Sequence, residues 1–104
     1  MGKNAIELQT QGEIDRDILS YVREMMRAAP VEAQSVFAYL AVTRRRKVIL
    51  SEVEDRLNYL TDAGFLILKV EWEGGRELRH WLCTALGMDV LDGNVPPRNW
   101  KARG

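Results

Sequence analysis

The sequence predicts a single α+β domain made of three helices, a β-hairpin and a short last helix. Two observations carry this prediction. Gly64 follows a segment with helical periodicity, where a glycine suits the left-handed conformation that ends a helix. Beyond it the apolar pattern changes to a period of two on both sides of Gly74-Gly75, which is typical of a two-residue hairpin turn.

The first two helices are predicted from apolar spacings of three and four residues. The first runs from about residue 14 to residue 29 and stops before Pro30, because the residue before a proline is pushed out of the helical region. The second starts near Val31 and closes in a basic last turn. The apolar stripes are Ile14, Ile18, Leu19, Val22, Met25 and Met26 in the first helix, and Ala33, Val36, Phe37, Leu40 and Ala41 in the second.

The third helix has a predicted capping box at its start. The Ser51 hydroxyl is expected to accept from the backbone N–H of Glu54, and the Glu54 side chain to reach back. Val53, Leu57 and Leu60 then form the buried stripe.

The hairpin register follows from the Gly74-Gly75 turn and from the opposite charges on either side of it. A short last helix is predicted from about Thr84 to Leu91. The predicted register is Glu73 opposite Arg76, Val70 opposite Arg79, Lys69 opposite His80 and Leu68 opposite Trp81.

Length and charge fit one small globular domain. The 104 residues carry 15 basic and 15 acidic side chains, so the formal net charge is zero. We expect a flexible tail at residues 1–13, the folded domain at 14–93 and a basic tail at 94–104. The first residues lack an apolar signal core, and no apolar run is long enough to span a bilayer. With a single cysteine, these features predict a cytoplasmic protein without membrane partners.

No group of residues has the spacing of a catalytic or metal site. His80 has no second histidine to join, and Cys83 is expected on the opposite face of its strand, so no zinc site is predicted. Cys83 lies in an apolar strand where a thiolate is disfavoured. Gly74-Gly75 is interpreted as a turn and not as a phosphate-binding loop. We therefore expect no enzyme, no cofactor and no small-molecule substrate.

The order of the elements and one short motif resemble the winged helix-turn-helix superfamily. Three helices followed by a hairpin is the order of that fold, and the segment 57–66 (LNYLTDAGFL) resembles the end of its third helix and the start of its wing. Leu57 and Leu60 of this motif would anchor the helix in the core. The segment 81–93 (WLCTALGMDVLDG) resembles the ending of small winged-helix proteins of Mu-like phages and prophages.

The resemblance implies binding of double-stranded DNA by a dimer, as a transcriptional regulator or accessory factor of phage type. In this fold the third helix enters the major groove and the wing approaches the backbone. Arg56 and Asn58 would then lie near base edges, and Tyr59 would contact phosphate. The cations expected to grip phosphate are Arg44, Arg45, Arg46, Lys47, Arg76 and Arg79.

The acidic residues of the third helix favour an alternative. Glu52, Asp55 and Asp62 are expected on its exposed face, where they repel a polyanion. Trp72, near the hairpin tip, is expected to be exposed, and an exposed aromatic side chain often marks a contact surface. These four residues would form the surface of a protein-interaction module that does not bind DNA. Arginines of the second helix and of the wing that converge around the third helix would support DNA binding instead.

Overall fold

The described part of the chain forms four helices and one two-stranded antiparallel sheet. The computed structural model describes residues 5–93, with side chains from Gly12 onward, so the predicted basic tail lies outside the described residues. This α+β order, with the hairpin after three helices, is compatible with a winged-helix layout. The elements are α1 (Ala5–Met25), α2 (Ala33–Ala38) with a π-helical continuation (Tyr39–Thr43), α3 (Leu50–Asp62), β1 (Leu66–Glu73), β2 (Arg76–Cys83) and α4 (Ala85–Leu91).

The core lies between the first three helices and the base of the hairpin. The predicted stripes supply most of it, since Ile18, Val22 and Leu57 are among the fully buried side chains. Met25 is the exception, because its side chain is 39% exposed near the end of α1. The remaining buried apolar side chains are Leu19, Val31, Val36, Leu40, Val53, Leu60, Ala63, Phe65, Leu66, Trp81, Cys83 and Val90.

Helix α1 is longer than predicted. It begins at Ala5, so most of the stretch expected to be a flexible tail is helical. The segment from Ala5 to Thr10 is rich in alanine, leucine, glutamate and glutamine, which favour helix, and it contains neither proline nor glycine. None of the helices in the described range 5–93 has the length and hydrophobicity needed to cross a bilayer.

Helix α3 begins two residues before its predicted start, so the prediction of a capping box at Ser51 and Glu54 is wrong. Ile49 occupies the capping position in an extended conformation, with φ −115° and ψ 161°. Its backbone N–H donates to the Glu52 carboxylate at 3.0 Å. This is one of the two hydrogen bonds of a capping box, in which the third helical residue accepts from the backbone of the capping residue. The other bond is missing, because the Ile49 side chain has no acceptor atom.

The end of α3 confirms the predicted role of Gly64, whose φ is 91°. The Gly64 N–H donates to the Thr61 carbonyl at 3.0 Å, and the Phe65 N–H donates to the Leu60 carbonyl at 2.9 Å. This pair of bonds is the Schellman arrangement, which satisfies carbonyls at a helix end and turns the chain. It delivers Phe65 to the core and starts β1 one residue later.

The hairpin has the predicted register throughout. Glu73 lies opposite Arg76 and Leu68 opposite Trp81, and Gly74 and Gly75 take the positive φ values of 60° and 81°. The outer edge of β2 is also anchored, because the Trp81 N–H donates to the carbonyl of Val31 at 2.9 Å in an isolated bridge.

Helix α4 packs closely against the turn after α3. The Thr84 side chain caps it by accepting from the Gly87 N–H at 3.1 Å, and the same hydroxyl donates to the Gly64 carbonyl at 2.7 Å. A Cβ at Gly87 would overlap the Phe65 carbonyl oxygen and would lie 2.9 Å from Cys83 Sγ. Only glycine therefore fits where α4 crosses this turn.

Replacing Gly87 with alanine is expected to lower the free energy of unfolding by about 1–3 kcal/mol, because backbone must move to admit the methyl group. Gly12→Ala is the control, since a Cβ at Gly12 meets nothing within 4 Å and alanine favours the helix by about 0.5–1 kcal/mol. Urea denaturation followed by circular dichroism measures both changes. A G87A protein as stable as the unaltered chain would contradict the close packing of α4.

Candidate functional site: the basic loop, helix α3 and the hairpin

The loop between α2 and α3, residues 44–49, pairs two of its cations with carboxylates of α1. The Arg44 Nε atom lies 3.2 Å from Oδ2 of Asp17, and the Arg46 Nη2 atom lies 3.0 Å from the same oxygen. Arg46 Nη1 also lies 3.3 Å from Oε1 of Glu13. Both arginines, predicted to hold phosphate, are therefore engaged with carboxylates of α1.

The other two cations of this loop point outward. Arg45 has a φ of 52°, a left-handed conformation that non-glycine residues seldom adopt, and both Arg45 and Lys47 are exposed. The loop backbone is fixed on either side of Arg45, since the Arg44 N–H donates to the Tyr39 carbonyl at 3.1 Å and the Arg46 N–H donates to the Leu40 carbonyl at 2.8 Å. The result is a tethered loop that presents two cations to solvent.

The ion pairs with α1 stabilise the charged form of Arg46. Burial alone would lower the pKa of Arg46, but hydrogen bonds and Coulombic attraction to Asp17 and Glu13 outweigh it and raise this pKa above the ordinary value. Arg46 is thus a permanent cation whose charge is largely balanced by α1.

Arg56 has a structural role in α3 that the sequence interpretation did not foresee. Its Nε donates to Oδ1 of Asp15 at 2.8 Å, and its Nη2 donates to Oδ2 in a two-pronged pair. Asp15 is only 1% exposed, so this pair ties the middle of α3 to the interior face of α1. Hydrogen bonding to Asp15 outweighs burial and raises the pKa of Arg56.

Tyr59 completes this cluster and is only half exposed. The Arg56 guanidinium carbon lies 4.4 Å from the centroid of the Tyr59 ring, a cation–π contact. Burial raises the pKa of Tyr59, and the positive charge of Arg56 partly offsets this. Arg56 and Tyr59, both predicted to reach DNA, are therefore engaged within the domain.

A buried carboxylate on α1 is the feature that sequence reasoning missed. Asp15 lies three and four residues before Ile18 and Leu19, and seven before Val22, so it is on the apolar stripe. An acidic residue at such a position needs a buried cation, because an unpaired charge in a core is costly. That spacing was the available signal, but it does not say which arginine supplies the pair.

The exposed face of α3 is mainly acidic, as predicted. Glu52, Asp55 and Asp62 are exposed, and Asn58 is exposed among them. The Glu52 carboxylate is partly used in capping Ile49. Asn58 is thus the predicted base-reading side chain that the structure leaves on the surface.

The two arginines of the hairpin are both on the surface. Arg76 and Arg79 are exposed, and Arg79 Nε lies 3.7 Å from Oε2 of Glu77 in a loose pair. Arg76 shares a groove of about 400 Å³ with the connection between α1 and α2, which contributes Ala29, Pro30 and Glu32. Trp72 is 72% exposed, as predicted.

The two basic sets lie beside different ends of α1. Arg44 and Arg46 contact its residues 13–17, whereas the Cys83 N–H at the hairpin base donates to the Met26 sulfur at 3.3 Å. Asp17 and Met25 are about 12 Å apart along the helix axis at 1.5 Å per residue. The cations therefore do not form one dense patch. A ligand that contacted both sets would meet only their outward-pointing side chains.

His80 and Cys83 are buried in β2 and do not form a ligand cluster. His80 is 7% exposed, and its Nε2 lies 2.5 Å from Oε1 of Glu71. Burial raises the pKa of the Cys83 thiol to about 11, and the charge of Arg23 offsets this only in part. Within residues 12–93 no three His, Cys, Asp or Glu side chains are grouped to hold a metal ion.

Comparison with known proteins gives no relative for this arrangement. No family model, no curated protein and no solved structure matches the chain.

Removing the Arg56 guanidinium from the buried pair is expected to destabilise the fold. Arg56→Met leaves the Asp15 carboxylate buried without its arginine, which should lower the free energy of unfolding by about 3–5 kcal/mol. The double variant Asp15→Leu, Arg56→Met should recover most of that loss, because two apolar side chains replace the ion pair. Denaturant melts of the three proteins measure both steps. If R56M is as stable as the parent, Arg56 is not a structural residue.

Cys83 is expected to react slowly in the folded protein. Its raised pKa should reduce the thiolate fraction at pH 8 about 100-fold relative to the unfolded chain, and iodoacetamide alkylation should slow accordingly. The same shift contributes stability that is fully present below pH 9 and is lost as the pH rises toward 11. Equal alkylation rates in buffer and in urea would show that the thiol is accessible.

Proposed function

We propose that the domain binds double-stranded DNA as a winged-helix protein. The observation that carries this proposal is the tethered loop, because it directs Arg45 and Lys47 outward from the start of α3 while Arg44 and Arg46 hold its backbone against α1. A pre-ordered loop loses little conformational entropy when it meets a phosphate backbone. No catalytic step is involved, and the role is that of a transcriptional regulator or accessory factor of phage type.

The proposed contacts divide between two parts of the surface. Arg45 and Lys47 grip phosphate beside α3, and Arg76 and Arg79 grip it from the hairpin. Asn58 is the candidate base reader, with the geometry to pair with adenine. Arg44, Arg46 and Arg56 support this surface through their carboxylate partners and do not themselves need to touch DNA.

The acidic face of α3 limits how the DNA is read. Asp55 and Asp62 are exposed on the same short helix as Asn58, and they oppose deep entry into the major groove. We therefore infer that affinity comes mainly from the loop and the hairpin, with modest sequence discrimination. Binding of this kind depends strongly on salt.

Protein recognition is the second candidate function, and the exposed carboxylates of α3 favour it. Glu52, Asp55 and Asp62 form an acidic surface, and they suit a basic partner better than they suit DNA. Trp72, on the hairpin, would add apolar contact area. The salt dependence of binding to duplex DNA distinguishes the two functions.

Fluorescence anisotropy of a labelled duplex at several salt concentrations tests DNA binding. Four phosphate contacts predict a slope of log K against log salt of about −3.6. The double variant Arg45→Ala, Lys47→Ala should weaken binding at low salt and make that slope shallower by about 1.8. Asn58→Ala should leave the slope unchanged and reduce discrimination between duplexes.

Arg16→Ala is the matched control, because Arg16 is an exposed cation whose Nη2 donates to the Leu91 carbonyl on the α4 side of α1. It removes one positive charge and should change neither affinity nor slope. Absence of binding to any duplex at low salt would rule out the first function. A loss of log K per charge removed that is the same in R45A/K47A and in R16A would mean that only net charge matters.

A further inference from the structure

Strand β1 directs one set of backbone groups away from its partner. The Trp81 N–H donates outward to Val31, so Trp81 and its opposite residue Leu68 form a pair without mutual hydrogen bonds. Such pairs alternate along an antiparallel ladder. Val70 and Trp72 therefore also direct their N–H and C=O groups to the outer edge of β1, where the described chain places no third strand.

This edge is exposed and partly apolar. From Lys69 to Glu73 every residue of β1 is exposed, with Val70 at 50% and Trp72 at 72%. Leu68, Val70 and Trp72 lie on one face of the strand, because side chains alternate. An eight-residue edge with such side chains is a template for pairing with another strand.

We propose that two copies of this chain associate through β1, antiparallel and centred on Val70. In this register Val70 of each copy lies opposite Val70 of the other, and Leu68 lies opposite Trp72 of the second copy. The backbone groups of these residues point outward, so they meet in hydrogen-bonded pairs. Lys69 then lies opposite Glu71 of the second copy, in the closer non-hydrogen-bonded position, and this pairing occurs twice.

Charge selects this register over its neighbours. Moving the centre by one residue keeps the backbone groups in phase but places Lys69 opposite Lys69, or Glu71 opposite Glu71 with Lys69 opposite Glu73 on either side. Moving it on to Trp72 places Glu71 opposite Glu73 twice. Only the arrangement centred on Val70 pairs opposite charges without opposing like ones and uses the full apolar set.

The product would be a four-stranded sheet with a twofold axis normal to it at Val70. The axis places Leu68, Val70 and Trp72 of both copies on the same face, so the exposed tryptophans each gain an apolar neighbour. Glu71 already lies against His80 through one carboxylate oxygen, which leaves its second oxygen for the lysine. This interface does not depend on DNA binding, because it uses the edge of β1 and none of the proposed phosphate contacts.

Sedimentation equilibrium of the full chain tests the association. We expect a concentration-dependent dimer. Val70→Pro should weaken it at least tenfold, because proline removes the central outward N–H while the bonds between β1 and β2 stay intact. Circular dichroism checks that the variant is folded. A parent chain that stays monomeric up to several hundred micromolar would overturn the proposal.

Charge exchange tests the register without proline. Lys69→Glu alone and Glu71→Lys alone should each weaken self-association at least tenfold, since like charges then face each other twice. A mixture of K69E and E71K should form a mixed dimer, because each copy supplies the charge that the other lacks. Glu54→Lys, a charge reversal on the exposed part of α3, is the control and should leave the dimer unchanged. Failure of the mixture to associate better than either variant alone would overturn the register.

Discussion

The buried carboxylate of Asp15 is the constraint on which the candidate site depends. Since Asp15 is on the core side of α1 with almost no solvent contact, Arg56 must lie over it, and this fixes the rotation of α3 about its axis. That rotation decides which side chains of α3 face solvent. Asn58 and Asp55 are outward, and Arg56 with the Tyr59 ring beneath it is turned inward.

The neighbouring carboxylates of α1, on another side of the helix, position the basic loop. Glu13, Asp15 and Asp17 together engage arginines from the loop and from α3, so one short stretch of helix aligns two later segments. This explains how a chain of zero formal charge can still present cations. Arg44, Arg46 and Arg56 are paired with carboxylates of α1, so the cations proposed to meet a polyanion are Arg45, Lys47 and the hairpin arginines.

Local chemistry made much of the fold predictable from sequence. The Gly64 helix end and the hairpin register each depend on a few neighbouring residues, and both are confirmed. The start of α3 was misplaced because two capping patterns overlap, and the nonpolar Ile49 took the position expected for Ser51. The Asp15–Arg56 pair joins residues 41 positions apart, so no local pattern specifies it. This is why the sequence places Arg56 near DNA bases, whereas the structure shows it bound to Asp15.

The edge of β1 carries charges close together in sequence, of which Glu71 already contacts His80 within one copy. An exposed strand with Val70 and Trp72 invites indiscriminate pairing. Lys69 and Glu71, on the other face, restrict it, because like charges oppose each other when the pairing is centred on Lys69, Glu71 or Trp72, whereas unlike charges do so when it is centred on Val70. If these charges served only to prevent pairing of the strand edge, charges of one sign would be enough. The alternation of signs about Val70 instead favours a single self-complementary pairing, in which the tryptophans are covered.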